Sequence, residues 1–129
     1  MNLSFHFNIE IDPDRKIIIS KIYGIWKKET AIEFREEYNK TAQPLLKGKW
    51  AKITNLANWK SSYPEIIEIL GEHLHWCHEN GAEYTAYAIE DPVTTRQLMA
   101  LIEKSKVADK VSIFKTFKEA DKFLQQKGY

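Results

Sequence analysis

Strict alternation of apolar and polar residues opens the chain. Phe5, Phe7, Ile9 and Ile11 are interleaved with His6, Asn8 and Glu10, the period-two pattern of a strand with one buried face. "DPDRK" supplies turn residues. The β-branched run "IIISKIYG", Ile17 to Gly24, completes a hairpin. The period then changes. Ala31, Phe34, Tyr38, Ala42 and Leu45 form one stripe at helical spacing while Glu33, Glu36, Glu37 and Lys40 face away, which predicts a helix from about Glu29 to Leu46. "GKWAKITNL" reads as a short strand around Trp50 to Thr54, and "NWKSSYPE" as a loop. In that loop Ser62 is placed to cap the next helix, with Glu65 three residues on. Pro64 sits early in this helix, where a missing N–H does no harm. The helix runs to about Asn80 and stops at Gly81. A strand (Tyr84 to Ile89), a helix within "EDPVTTRQLMALIEKSK", a short strand (Val111 to Phe114) and a final amphipathic helix follow. Phe117, Ala120 and Leu124 share one side of the last helix.

The predicted order is therefore ββαβαβαβα, which argues for an α/β domain with a mostly parallel sheet and right-handed crossovers. Gaps are short and no linker, repeat or low-complexity segment interrupts them, so residues 1–129 read as one domain. The balance of 19 Lys+Arg against 18 Asp+Glu gives no overall attraction to nucleic acid or anionic membrane. One cysteine forms no internal disulfide, which suits a reducing cytoplasm. "MNLSFHFNIEI" lacks a basic region followed by an apolar run, so no signal peptide is expected. No apolar run approaches the ~20 residues of a membrane-spanning helix.

"GEHLHWCHENG", Gly71 to Gly81, holds three of the four histidines and the cysteine, which raises the question of a metal. At about 100° per residue, Ile66, Leu70 and Cys77 define the buried stripe, flanked by Ile69 and Leu74. His73 lies beside that stripe, His75 faces solvent, and His78 falls to one side. At most His73 with Cys77, or His75 with His78, can share an ion, short of the four ligands of a structural zinc site. The expectation is no metal and no cofactor: His75 and His78 on the surface, His73 at the border, Cys77 in the core.

Other catalytic motifs are absent from the sequence. There is no G-x-S-x-G and no Gly-rich phosphate loop, since the five glycines are isolated. In parallel α/β sheets, ligands gather beyond the carboxyl ends of the strands. There the sequence places Trp26, Asn55, Asn58, Trp59, Lys60, Tyr63, Thr94 and Arg96, a mixture suited to binding. Thr94 or Thr95 at a helix start can also help to hold an anion. The alternative for Trp26 and Trp59 is that they cover the open ends of the core.

The hairpin pattern I-x-I-D…R-x-I-I-I…Y-G, the strand–helix alternation and the ending "VSIFKTFKEADKFL" resemble the SpoIIAA-like proteins, whose fold is shared with STAS domains and more distantly with Sec14-type lipid-binding domains. The most specific part is F-x-x-F-x-E-A-x-x-F-L, Phe114 to Leu124. The resemblance implies a right-handed βα superhelix with an antiparallel first strand. It also implies a phosphorylatable serine between the central strand and its following helix, the place that Ser61 and Ser62 occupy here. Lys60 stands where that motif is acidic, Tyr63-Pro64 replaces Gly-Leu, and Asn55 replaces an aspartate.

Three functions compete at this point. A non-enzymatic regulatory module with an unidentified protein partner is the leading one. The alternative is a small-ligand or lipid-binding domain of the Sec14 type, with a small apolar ligand. The third is an enzyme using Cys77 or the histidines. The polar face and open edge of the first strand also leave room for a homodimer.

Overall fold

The computed structural model describes residues 6–129. Its elements are β1 (Phe7–Asp12), β2 (Ile17–Gly24), α1 (Lys28–Ala42), β3 (Trp50–Trp59), α2 (Glu65–Glu79), β4 (Ala82–Ala88), α3 (Pro92–Ser105), β5 (Val111–Phe114) and α4 (Phe117–Gln126). This is the predicted order. The five strands form one sheet in the sequence β1-β2-β3-β4-β5, with β1 antiparallel to β2 and the remaining pairs parallel. Phe5, the first member of the alternating pattern, lies outside the described residues.

Side chains on a strand alternate between faces, and here each face carries its own core. Ile18 and Ile22 of β2, Leu56 of β3 and Tyr87 of β4 look toward Phe34, Tyr38, Leu70, Leu74 and Leu98 on α1, α2 and α3. Ile17, Ala51, Ile53, Ala86 and Ala88 lie under Ala120 and Leu124 of α4. Three helices thus cover one face and one helix the other. Because the strand order is sequential and α1, α2 and α3 share a face, the three crossovers have the same hand.

Two elements differ from the sequence expectation. The α-helix of α1 ends at Ala42 and continues only as a 3₁₀ turn, Gln43–Leu45. Pro44 explains this, since it has no N–H for an i−4 bond and its ring would clash with the preceding turn. Strand β3 is ten residues long and runs through to Trp59. Its pairing with β2 shifts between Lys21 and Tyr23, which face Asn55 and Asn58. Leu56 and Ala57 together stand opposite Ile22, a β-bulge held by a hydrogen bond from Ala57 N to Asn55 Oδ1 of 3.0 Å. Asn and Ala are poor strand formers, so the far half of β3 reads as loop in the sequence.

Helices α2 and α3 pack at closest approach on Gly71. A Cβ there would stand 2.8 Å from Lys104 Cβ and 3.1 Å from the Leu101 carbonyl oxygen. Alanine is favoured over glycine in a helix by about 1 kcal/mol, but overpacking a rigid contact costs about 1–3 kcal/mol. Gly71→Ala is therefore expected to destabilise the fold by up to about 2 kcal/mol, measured by denaturant unfolding. A stabilised variant would show that α3 moves away at no cost.

Candidate functional site

The connections after β2 and β3 meet at one end of the sheet, and the hydroxyl of Ser62 ties them together. Its Oγ accepts from Trp26 N at 2.9 Å and from Trp59 Nε1 at 3.0 Å, and donates to the Lys60 carbonyl at 3.0 Å. One donor and two lone pairs are all that a hydroxyl has, so Ser62 is fully used. Its backbone is held by Gln97 of α3, which accepts from Ser62 N at 2.9 Å and donates to Ser62 O at 2.8 Å. The expected capping role is therefore corrected: the residue at the start of α2 is Pro64, with no side-chain cap, and Ser62 bonds backward into the sheet end.

The two tryptophans lie in the core, 0% and 3% exposed for Trp26 and Trp59. Trp26 packs edge-on against Phe7 and Phe34 and donates its indole N–H to the Tyr23 carbonyl at 2.9 Å. Both are covers of the core and present no surface to a partner. Thr94 is buried as well. Its hydroxyl and that of Thr95 donate to the Asp91 carbonyl, and the Asp91 carboxylate accepts from Val93 N at 2.8 Å. The start of α3 is thus already capped by an anionic side chain, and neither threonine is free to hold another anion.

Of the remaining sequence candidates, Asn58, Lys60, Ser61, Tyr63 and Arg96 are exposed and Asn55 is half-buried in the bulge. Ile25 at 58%, Tyr63 at 54% and Val93 at 56% exposed give this end an apolar character. Ile25 and Tyr63, with Ser61, Ser62 and Pro64, line a shallow open depression of about 280 Å³. Sequence reasoning missed Ile25 and Val93. Their signal was their place, Ile25 just after β2 and Val93 in the first turn of α3.

Replacing Ser62 leaves two buried N–H donors without partners, each costing about 1–3 kcal/mol. Ser62→Ala is expected to lose about 2–4 kcal/mol of unfolding free energy, while Ser61→Ala stays within about 0.5 kcal/mol of the parent. Equal effects in the two variants would remove the tie from the account.

A second group of polar residues lies between the sheet and the helices. Lys52, the third residue of β3, is 2% exposed. Its Nζ is 3.8 Å from Cys77 Sγ and sits 4.9 Å above the Tyr38 ring. His73 Nε2 lies 3.6 Å from the same sulfur. The Tyr38 hydroxyl is buried with no hydrogen-bond partner among the described residues. Burial lowers the Lys52 pKa, with Cys77 opposing. Burial also raises the Cys77 thiol, with Lys52 pulling it back. His73 is held well below its ordinary value by burial and then by Lys52.

His78 corrects another expectation. It is buried, not on the surface, because it meets β4: its Nε2 is 2.6 Å from Thr85 Oγ1. His75 is exposed as expected, paired with Glu79 and bonded to the Ser105 carbonyl. Among the described residues no three His, Cys, Asp or Glu side chains are placed to hold a metal ion. The cavity beside Lys52 measures about 20 Å³ and is lined also by Phe34, Thr54, Leu70, His73 and Tyr87. That is room for one water-sized molecule, not for a lipid. No described helix is long and apolar enough to cross a membrane.

Burial, then Lys52, lowers His78 from 6.5 to about 4. The unfolded chain therefore binds protons that the folded chain refuses. The neutral histidine's contribution is intact above pH 6.5 and is lost as pH falls toward about 4. His78→Gln keeps a partner for Thr85 and removes the titration. It is expected to cut the loss of stability between pH 7.5 and pH 5 by about 1–2 kcal/mol, followed by thermal melts across that range. Parallel pH profiles for the two proteins would contradict a neutral buried His78.

No protein-family model matches the chain, and no curated protein does. Among solved structures, the chain is similar to the anti-sigma factor antagonist SpoIIAA in its unphosphorylated form, with a TM-score of 0.66 and 11% identity over 93% of this chain and 96% of that one. It is also similar to an anti-sigma factor antagonist from Mycobacterium paratuberculosis, with a TM-score of 0.61 and 12% identity over 97% and 99%. At these identities the likeness is one of fold, and the fold is SpoIIAA-like, as the sequence pattern implied.

Proposed function

We propose that this chain is a non-enzymatic regulatory module that acts by binding a protein partner through the loops beyond β2, β3 and β4. The observation that carries this reading is the exposure of Ile25 and Tyr63 on the depression next to Ser61, with Val93 exposed at the start of α3. Exposed aromatic and branched side chains on a rigid rim are what a protein contact desolvates. Here the rim is rigid because Ser62 and Gln97 fix the loop from behind. The two similar structures, both titled anti-sigma factor antagonists, support a regulatory role for this fold.

Of the two serines that the family resemblance marks for phosphorylation, we assign Ser61. It is exposed, and a phosphoryl group there adds charge just before α2 without dismantling the loop. At Ser62 the same group would break three hydrogen bonds.

In affinity capture from lysate of the source cells, the partner retained by the parent protein is expected to be lost at least tenfold in Ile25→Ser/Tyr63→Ala. Ser61→Asp is expected to weaken it and Glu36→Ser on the far face of α1 to leave it unchanged. The reading fails if the partner ignores the double variant while Glu36→Ser releases it.

A further inference from the structure

We propose that Lys52 and Cys77 are the two ends of an oxidative cross-link in which a single oxygen atom joins Nζ to Sγ. The geometry comes first. The two atoms are 3.8 Å apart, one near the start of the central strand and the other on a helix packed over it. Such rigid neighbours react as though at very high concentration. The lysine lacks its usual partner: among the described residues its amine touches sulfur and a ring face, with no carboxylate. An unprotonated amine has a lone pair to share, and burial favours that form.

Access selects the oxidant. Cys77 is fully buried and Lys52 nearly so, which keeps out bulky disulfides and other thiols. Dioxygen is small and apolar, and the 20 Å³ cavity on the Lys52 side of the pair has the size to receive it. The reaction balances with dioxygen alone. The S–H bond and one N–H bond break, and S–O and O–N bonds form. The two hydrogens leave with the second oxygen atom as water. Sulfur and nitrogen give two electrons each, and dioxygen takes four. His73 Nε2, 3.6 Å from the sulfur, packs against the thiol as a neutral ring. Two equivalents of a dithiol supply the four hydrogens that reverse the link, regenerating thiol, amine and water.

The test uses the whole chain purified without reductant and held in oxygen-saturated buffer. Intact mass spectrometry is expected to show a gain of one oxygen less two hydrogens, about 14 Da. Proteolysis should give one fragment joining the peptides of Lys52 and Cys77, and dithiothreitol added to the unfolded chain should restore the parent mass. Lys52→Met keeps the packing volume and should show no such gain. An unchanged mass after prolonged aeration overturns the proposal. So does a gain of about 16 or 32 Da that peptide mapping places on Cys77 with a free Lys52, the mark of sulfenic or sulfinic acid rather than of oxidised Met99. A loss of about 2 Da, a direct S–N bond, overturns the bridging oxygen.

Discussion

Strand β3 is hydrogen-bonded on both edges, to β2 and to β4, and covered on both faces, by α4 below and α1 to α3 above, and the rest of the structure follows from that enclosure. Every side chain on β3 between Trp50 and Thr54 is buried. A lysine in that run has no route to water. Taking an ammonium out of water costs several kcal/mol unless it is paired, and among the described residues no carboxylate pairs with Lys52. The strand is compatible with this residue because the four-carbon stem packs as an aliphatic chain and the amine is pushed toward neutrality. The thiol of Cys77 and the face of Tyr38 then serve as soft neighbours for a weakly charged group.

The same enclosure decides what the far end of β3 can do. The bulge at Leu56 and Ala57 lets the strand stay paired through Trp59, which brings its indole inward to the Ser62 hydroxyl. The adjoining strand delivers Trp26 to the same oxygen. Two large aromatics that look like contact residues in the sequence are thereby spent on closing the core. The residues left outside, Ile25 and Tyr63, are the immediate or near neighbours of the buried ones. Loop surface and core closure are two sides of one short arrangement, and a single hydroxyl coordinates both.

This explains which parts were legible in the sequence. Alternation identified β1, a β-branched run identified β2, and Gly81 marked the end of α2, because those signals are local. The resemblance carried by Phe114 to Leu124 gave the fold class, since it lies in packed α4 positions. The length of β3 was hidden, because asparagine and alanine disguise a strand whose pairing is set by its neighbours. A helical wheel placed His78 outside, since it contains no sheet. Thr85 of β4 is what draws that histidine in. Ser62 followed by Glu65 has the form of a capping pair, yet the partners it found lie 36 residues earlier in the chain for Trp26 and three earlier for Trp59. Likewise no pattern marks Lys52 and Cys77 as neighbours, because a contact 25 residues apart depends on how α2 lies across β3.

The two polar centres are therefore not independent features. From Lys52 to Trp59 the strand spans about 23 Å at roughly 3.3 Å per residue, and from Ile66 to Cys77 α2 returns about 17 Å at 1.5 Å per residue. The loop of Lys60 to Pro64 joins these two rods at one end, and the Lys52–Cys77 contact lies across them toward the other. Both ends of this rod pair are tied. The Ser62 hydroxyl holds the loop end, and at the other end Trp50 of β3 donates its indole N–H to the Asn80 carbonyl at 2.8 Å while His78 meets Thr85 of β4. Lys52 and Cys77 lie between these fixed ends, so the crossing of α2 over β3 sets their separation and leaves the soft amine–sulfur contact no part in holding the helix in place.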